Sequence, residues 1–346
     1  MGKIIRLSGS EAELMKMDLK DKKIMAILVN EARISLTQLA KKVGLKRETI
    51  DYRIKRLIGH KFITGFAPSI NFKLLGYSFY EVFLLLNESN ENKRGEIIKK
   101  LAELPYTKSV LEYNDRWDIK HTILAKNTEE FDSICEEIQS EFGSSILEIE
   151  RSAMLKGYSE QSLSGLFQPE TRIPKHTAKE GVVKIDKKDL AILKCLCEDC
   201  RQSTYEIGEK IKLSPDAVGL RIKKMVQHGI IEKFTTFFDN SKMPLYWYTI
   251  AVQLRSFDSG VEEKVKKLVK NYPIMSARKT LGSWDMFFSV IAQSQKEIHD
   301  AVREIKKSLS ESIKNYQTWL AYKEPYFTEF PEILEEQKFT SNIDSR

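Results

Sequence analysis

The sequence predicts an α+β protein in which a two-part unit occurs twice in tandem. The first observation is an internal repeat: residues 17–66 and 185–234 align without a gap at an offset of 168. The second is that both repeated segments carry apolar residues at helical spacing. The third is that the segment after each repeat alternates apolar, strand-like runs with charged, helix-like runs. The chain therefore has the order A–B–A′–B′.

The composition is that of a globular protein with two to four domains: 346 residues, of which 42% are hydrophobic and 30% charged. No apolar run approaches the roughly 18 residues that span a bilayer, and the start of the chain lacks the apolar core of a secretory signal. Four cysteines in a chain of this length do not make a disulfide framework. We therefore expect a cytoplasmic protein without membrane contacts.

Each A part contains three helical patterns followed by an apolar, strand-like segment. In the first copy the helices begin at Asp18, at Ser35 and near Lys46. Gln38 lies three residues after Ser35, which predicts a capping box, and the same spacing recurs in the second copy. Three helices followed by a small wing are typical of a winged helix-turn-helix domain.

Each B part predicts the element order β-α-β-β-α-β. In the first copy apolar strands fall at residues 77–86 and 119–125, and amphipathic helices fall at residues 93–103 and 128–142. This order is that of the ferredoxin-like split motif, in which two helices cover one face of a four-stranded antiparallel sheet. The other face needs a partner, and the two B parts of one chain can cover each other.

The repeat predicts six segments along the chain. Winged helix-turn-helix domains occupy residues 15–68 and 183–236, and ferredoxin-like domains occupy residues 69–155 and 237–325. A polar linker that carries Gly and Pro lies at residues 156–182, and a polar tail lies at residues 326–346.

One pattern of residues runs through both A parts. In the first copy it comprises Asp18, Asp21, Ile24, Ala32-Arg33-Ile34-Ser35, Leu39-Ala40, Val43-Gly44-Leu45, Arg53-Ile54 and Leu57. In the second it comprises Asp186, Asp189, Arg201-Gln202-Ser203, Leu213-Ser214-Pro215, Arg221-Ile222 and Met225. This pattern resembles the DNA-binding domain of the Lrp/AsnC family of transcription regulators. The resemblance implies a sequence-specific regulator that binds double-stranded DNA, from a bacterial or archaeal source.

We predict that the first A part is the main DNA reader. Residues 17–66 hold twelve Lys and Arg against five Asp and Glu, a net charge of +7, whereas residues 185–234 hold ten against eight, a net charge of +2. Basic side chains gain affinity for DNA by releasing counterions from its phosphates. The predicted DNA-contacting residues are Arg47, Thr49, Tyr52, Arg53, Lys55 and Arg56 in the first copy and Ser214, Arg221, Lys223 and Lys224 in the second.

The B parts are similar to the effector domain of the same family, whose sheets pair face to face and which carries a Gly-x-x-Asp turn. The second copy has this turn at residues 282–285, whereas the first has Asn114-Asp115-Arg116-Trp117-Asp118, without the glycine. The resemblance implies a homodimer or larger oligomer formed through these sheets. It also implies a small-molecule effector such as an amino acid, bound near Asp118, Gly282, Ser283 and Asp285. Packing is the alternative role for the two tryptophans of these turns.

Other chemistry has less support in the sequence. Cys195, Cys197 and Cys200 share one predicted helix without the paired spacing of a zinc site, which favours packing over metal binding or redox sensing. No P-loop, dinucleotide fingerprint or nucleophile elbow occurs. We therefore predict no cofactor, no metal and no enzymatic activity.

Two alternatives to a DNA-binding regulator stay open. The first is a protein-interaction module without specific DNA binding. The second is an enzyme, because the siroheme decarboxylases share this combination of domains. Their resemblance implies basic and His side chains in the effector-domain cavity, for which the candidates are His121, Arg116, Arg278 and Lys279.

Overall fold

The computed structural model describes residues 5–6, 14–87, 91–158, 163–167, 181–270 and 273–335. These residues form ten α-helices and eleven β-strands. The helices are α1 (Leu19–Leu28), α2 (Leu36–Val43), α3 (Arg47–Gly59), α4 (Glu91–Glu103), α5 (Thr128–Phe142), α6 (Lys187–Glu198), α7 (Thr204–Ile211), α8 (Pro215–Gln227), α9 (Ser259–Leu268) and α10 (Gln295–Ser308). The strands are β1 (Ile5–Arg6), β2 (Ile63–Ile70), β3 (Ser78–Leu86), β4 (Thr107–Tyr113), β5 (Ile119–Ala125), β6 (Ile146–Tyr158), β7 (Ile231–Phe238), β8 (Tyr246–Leu254), β9 (Ile274–Leu281), β10 (Met286–Ala292) and β11 (Ile313–Phe327).

The predicted fold class and its tandem arrangement are confirmed. Helices α1–α3 and α6–α8 form two three-helix units, and each is followed by one strand and a βαββαβ segment. The capping box predicted at Ser35 is present, because its hydroxyl accepts from the Gln38 amide while the Gln38 side chain accepts from the Ser35 amide. An equivalent box begins α7 at Ser203. Local side-chain chemistry therefore sets where these helices begin.

The strand after each three-helix unit pairs with its counterpart in the other unit. β2 and β7 form a two-stranded antiparallel sheet in which Ile63 lies opposite Phe238 and Ile70 lies opposite Ile231. The small wing expected within each unit is thus replaced by one ribbon shared between the two. This ribbon packs in the same hydrophobic core as the helices and fixes the two units relative to each other.

The two βαββαβ segments close into one barrel. β4-β5-β3-β6 form the first sheet and β9-β10-β8-β11 form the second, which is the ferredoxin-like strand order in both cases. β6 extends past its own sheet to pair with β9, and β11 extends past its own sheet to pair with β4. All eight strands are therefore closed into a ring, and β1 adds two residues to the edge of β11 at Lys323 and Glu324.

Each sheet is covered on its outer face by the helices of its own segment. Phe131 of α5 stacks on Tyr80 of β3, and Ile298 of α10 lies in a separate cluster with strands β8–β10. The inner faces of both sheets meet in an aromatic cluster formed by Phe83, Trp117, Trp284, Phe287 and Trp319. The two B parts therefore cover each other's open face.

The six predicted segment boundaries remain predictions. β6 runs to Tyr158, two residues beyond the start of the predicted linker at residue 156, and β11 runs to Phe327. Most of the predicted linker and of the predicted tail lies outside the described residues.

Candidate nucleic-acid interface

Helix α3 buries one face and exposes the opposite one. Ile50, Ile54 and Leu57 are spaced by three or four residues and are buried against the other helices of the unit. The exposed face borders a cleft of about 360 Å³ lined by Leu36, Arg47, Glu48, Asp51, Tyr52 and Lys55. Four of these six side chains are charged and one is a tyrosine that is 66% exposed. Such a face can hydrogen-bond and stack with a polar partner.

The predicted DNA-contacting residues of α3 fall into two groups. Arg47, Tyr52 and Lys55 are exposed, and Thr49 is half-buried. No hydrogen bond or ion pair joins Arg47 or Tyr52 to another described residue, while the Lys55 ammonium lies 2.7 Å from the Asp51 carboxylate. These residues form the first group, which faces solvent.

The second group, Arg53 and Arg56, is held against α1 by carboxylates. Arg53 donates to Asp18 and to Asp21 at 2.8 Å each, and Arg56 donates to Asp21 at 2.5 Å. Asp21 is only 1% exposed. The Asp21 amide and the Arg53 guanidinium lower the pKa of Asp18 to about 2. The two arginines therefore anchor α3 to the start of α1.

This anchor was missed in the sequence, although the repeat contains its signal. Asp18 and Asp21 recur as Asp186 and Asp189, and Arg53 recurs as Arg221. Arg221 donates to both of these carboxylates, at 2.8 and 2.7 Å. Two acids and one arginine that recur together indicate an ion-paired joint.

The exposed face of α8 differs from that of α3. Ser214, predicted to contact DNA, caps the helix by accepting from the Ala217 amide at 3.3 Å. Lys223 and Lys224 are exposed near the end of the helix. Leu220 takes the place of Tyr52 and is 55% exposed, and Pro215 takes the place of Arg47. The second unit thus lacks the arginine and the aromatic ring of the first.

The two three-helix units contact each other through two equivalent arginines, Arg33 and Arg201. Arg33 donates to the carbonyl oxygens of Cys200 and Gln202, at 2.5 and 3.1 Å, and lies over the ring of Phe234. Arg201 lies over the ring of Phe66 in the mirror arrangement. Burial lowers the pKa of Arg33. Together with the β2–β7 ribbon, these arginine contacts hold α3 and α8 in one orientation.

The aspartates of the two predicted effector turns bind the ends of neighbouring strands, β3 and β8. Asp118 accepts from the Leu86 amide at 2.7 Å and pairs with Arg94, and Asp285 accepts from the Leu254 amide at 2.7 Å. Gly282 has φ of 155°, and a Cβ there would lie 2.7 Å from the Arg151 carbonyl oxygen. Glycine is therefore required where this turn crosses β6.

Trp117 and Trp284 point into the barrel from the two turns. Their rings make edge-to-face contacts with Trp319, at centroid distances of 6.3 and 5.7 Å. Beside them a polar layer joins Glu81 to Lys120 at 3.1 Å and to Arg278 at 3.4 Å. Burial opposes ionisation of Glu81, but Arg278 and Lys120 outweigh it and lower its pKa. The barrel interior is thus filled by side chains from both halves.

The residues considered for siroheme chemistry are not brought together. His121 lies on the helix-covered face of β5 and is fully buried, so that its pKa falls to about 3. Arg278 pairs with Glu81 inside the barrel, and Arg116 pairs with Glu148. The Lys279 ammonium lies 3.9 Å from the centre of the Phe257 ring.

Metal ligands and membrane-spanning helices were also considered in the described part of the chain. No group of three His, Cys, Asp or Glu side chains there is arranged to hold a metal ion. Cys195 and Cys200 are buried at the end of α6, in the core shared with β2. None of the described helices combines the length and the apolar character that crossing a bilayer requires.

Comparison with known proteins assigns both A parts to the same type of domain. A model of the AsnC-type helix-turn-helix domain matches residues 17–58 and 185–226. The transcriptional regulator Rv2324 of Mycobacterium tuberculosis is 32% identical over 36% of this chain and 84% of its own length. The transcriptional regulator LrpB of Bacillus subtilis is 30% identical over 41% of this chain and 91% of its own length. One such regulator therefore corresponds to less than half of the present chain.

The whole chain resembles a solved enzyme in its fold. The siroheme decarboxylase NirDL covers 92% of this chain and 97% of its own, with a TM-score of 0.59 and 13% identity. Its complex with an iron-uroporphyrin III analogue gives a TM-score of 0.61 and 12% identity. The prediction that the protein is not an enzyme was wrong: it was drawn from the lack of known catalytic motifs in the sequence, whereas the duplicated fold of the whole chain is also that of an enzyme.

Proposed function

The chain belongs to the Lrp/AsnC family, and from this membership we propose that it is a sequence-specific DNA-binding transcription regulator whose first helix-turn-helix unit is the main reader. The observation that carries the proposal is the exposed face of α3. Arg47 stands there without an intrachain partner among the described residues, next to Tyr52 and Lys55. The start of a recognition helix is the part that enters the major groove, where arginine reads guanine.

The asymmetry of the two units supports a division of labour. The first repeat carries a net charge of +7 and the second of +2. Pro215 and Leu220 occupy the α8 positions that correspond to Arg47 and Tyr52, and neither side chain can hydrogen-bond to a base edge. We expect α8 to add phosphate contacts through Lys223 and Lys224 and to contribute little to sequence discrimination.

We assign Arg53, Arg56 and Arg221 a positioning role in this proposal. Their guanidinium groups are occupied by aspartates of α1 and α6. A charged hydrogen bond to a buried carboxylate is strong, so that these arginines would give up stability to reach DNA. Direct readout then falls to Arg47, Thr49, Tyr52 and Lys55.

The effector domains would serve assembly and sensing. Their sheets already pair within one chain, so that a further copy would dock on the outer surface. An amino-acid-like effector would bind beside the Gly282–Asp285 turn, where it meets β6, and the first turn would bind more weakly because it lacks the glycine. Isothermal titration with the common amino acids tests this part of the proposal.

The test of DNA reading is selection from a pool of genomic fragments at about 150 mM salt, because non-specific binding weakens at that salt concentration. We expect enrichment of a few promoter fragments that share a motif. Arg47→Ala combined with Tyr52→Ala should abolish this enrichment. The matched pair Lys223→Ala and Lys224→Ala should weaken binding to all fragments alike. A larger loss of motif discrimination in the α8 variant would reverse the assignment of the two units, and uniform retention of all fragments would remove sequence reading.

A second candidate is tetrapyrrole decarboxylation, which the whole-chain likeness to NirDL favours. Against it stand the separate locations of His121, Arg278 and Lys279. The direct test is to add siroheme to the purified protein and to follow its absorbance and carboxyl loss. A spectral shift with release of carbon dioxide would establish this activity, and an unchanged spectrum would remove it.

A further inference from the structure

We infer that Glu48 is a base-selecting residue, and that the half-site read by α3 contains a guanine contacted by Arg47 and a cytosine whose amino group is accepted by Glu48. The inference rests on the proposed function and names the sequence class that this face would recognise. Its starting point is an acidic side chain in an unexpected place, on the exposed face of the most basic unit of the chain.

The position of Glu48 is that of a base reader. Arg47 and Glu48 are the first two residues of α3, and both are exposed. At 100° per residue, Glu48, Asp51, Tyr52 and Lys55 share one stripe of the helix, and all four line the same cleft. The buried positions Ile50, Ile54 and Leu57 lie on the other side. Glu48 therefore lies on the side of α3 that would face a bound DNA.

Electrostatics gives the reason for a specific role. A carboxylate close to DNA is repelled by the phosphates and lowers affinity for every sequence. Asp51 is compensated, because its carboxylate lies 2.7 Å from the Lys55 ammonium. Glu48 has no ion pair or hydrogen bond with the described residues. Its repulsion is offset only where a base edge donates a hydrogen bond to it.

The hydrogen-bonding groups of the bases limit which base can bind Glu48. In the major groove, exocyclic amino groups are the donors, and a carboxylate pairs best with the N4 amino group of cytosine. Arginine pairs bidentately with guanine. Consecutive residues on a helix point about 100° apart, so that Arg47 and Glu48 reach different bases of the same half-site.

Glu48 has a second role available, and the experiment must separate the two. An acidic residue in the first turn stabilises a helix through its dipole. The second unit supplies a matched control, because Asp216 occupies the corresponding position in α8 and is also exposed. Asp216 follows Pro215, which cannot read guanine. Both acids support their helices, but only Glu48 stands beside an arginine.

The experiment is selection of binding sites from random double-stranded DNA with the full-length protein and with Glu48→Ala, Glu48→Gln and Asp216→Ala. The unchanged protein should enrich a motif that contains a guanine and a cytosine. Glu48→Ala should keep the guanine, lose preference at the cytosine by on the order of tenfold, and bind random DNA more tightly. Asp216→Ala should leave the motif unchanged. Urea unfolding of each variant measures the contribution of the helix dipole separately.

The outcomes separate the two proposals. If the unchanged protein enriches no motif, the proposed function fails and the inference fails with it. If it enriches a motif that Glu48→Ala enriches with the same preferences, the protein reads DNA but Glu48 does not select a base. A loss of preference in Asp216→Ala equal to that in Glu48→Ala would also overturn the inference. Tighter random binding together with a lost cytosine preference supports it.

Discussion

His121 is fully buried on the helix-covered face of β5, and its Nε2 lies 2.7 Å from the Thr107 hydroxyl. That hydroxyl donates its one hydrogen to the Leu101 carbonyl at 2.5 Å, so it must accept from Nε2. The proton therefore resides on Nε2, and Nδ1 is left without a partner among the described residues. The strand register of the second half places apolar residues at the corresponding positions, Phe288 for His121 and Ile274 for Thr107.

We predict that His121→Phe makes the protein less sensitive to acid. Burial lowers the folded-state pKa of His121 to about 3, well below its unfolded value of about 6.5. The unfolded state therefore binds a proton that the folded state does not, and stability falls as the pH drops from about 6.5 towards 3. The wild type should lose about 2–3 kcal/mol between pH 7 and pH 4.5 from this group, and the variant should not.

Urea unfolding at the two pH values measures the difference. His228→Phe, at an exposed position, is the matched control. An equal acid-induced loss in wild type and His121→Phe would mean that the histidine is not held neutral.

At the scale of single residues, the locations of exposed side chains could be predicted from the sequence better than the contacts of buried ones. Helical periodicity placed Tyr52 on the outer face of α3, and the position of Arg47 in the first turn of the helix placed it in the exposed part that usually enters the major groove. The buried acceptor Asp21 could not be placed, because its partners follow 32 and 35 residues later and contact depends on how two helices cross. Arg53 was therefore predicted as a DNA contact from its charge, because the sequence does not show that Asp18 and Asp21 bind it.

Helices α1 and α3 are joined more strongly than their counterparts α6 and α8. Asp21 is buried and pairs with two arginines, whereas Asp189 is 18% exposed in its side chain and pairs with one arginine, Arg221, among the described residues. The position of Arg56 is taken in the second unit by Lys224, which is exposed. The better-anchored helix is the one that we propose reads DNA.

We predict that Asp21→Asn is more destabilising than the matched Asp189→Asn. Removing the charge of Asp21 leaves two arginines facing a buried neutral amide, which should cost about 3 kcal/mol. Asp189→Asn weakens one part-exposed pair and should cost about 1 kcal/mol. Chemical denaturation at pH 7 and moderate salt compares the two free energies of unfolding. Equal losses would show that the second arginine adds nothing to the joint.

Element types were predictable from the sequence, and the pairing of elements was less so. The helix expected at residues 128–142 is α5 over the same residues, since its apolar spacing and the Asn127 cap mark both its face and its start. The partner of β2 could not be found in this way. An apolar strand carries no mark that distinguishes a wing within one unit from a ribbon shared with β7, because both bury the same face.

At the scale of the whole molecule, the barrel makes the two halves one folding unit. β6 and β11 each pair with strands of both halves, and Phe83 of the first half contacts Phe287 and Trp319 of the second. The β6–β9 and β11–β4 pairings are the two seams between the halves. Local loss of one sheet would open both seams and expose the aromatic cluster. We therefore expect the two halves to open together and not one after the other.

We predict that a cavity beneath a helix of one half destabilises both halves. Phe131→Ala on α5 removes a ring that stacks on Tyr80, at a cost of about 3–5 kcal/mol. Native-state hydrogen exchange should then show equal losses of protection in β5 and in β10. The matched change Ile298→Ala on α10 should act on both strands in the same way. Protection of β10 that survives Phe131→Ala would show that the halves unfold separately.

The sequence predicted that the two sheets cover each other but not that they close. Mutual covering follows from the open face that each ferredoxin-like sheet leaves. Closure depends on β6 reaching Tyr158 and β11 reaching Phe327, and the polar, glycine-containing end of β6 has the composition of a linker. The pairing partners β9 and β4 override that local signal.

The covalent link between the two seams changes how the assembly responds to dilution. A barrel closed by two separate chains would fall apart as the protein concentration drops, because association is then a bimolecular step. Here both seams form within one chain, so that their equilibrium is independent of concentration. The barrel can therefore stay closed even when a cell holds very few copies, and each copy always carries one α3 and one α8.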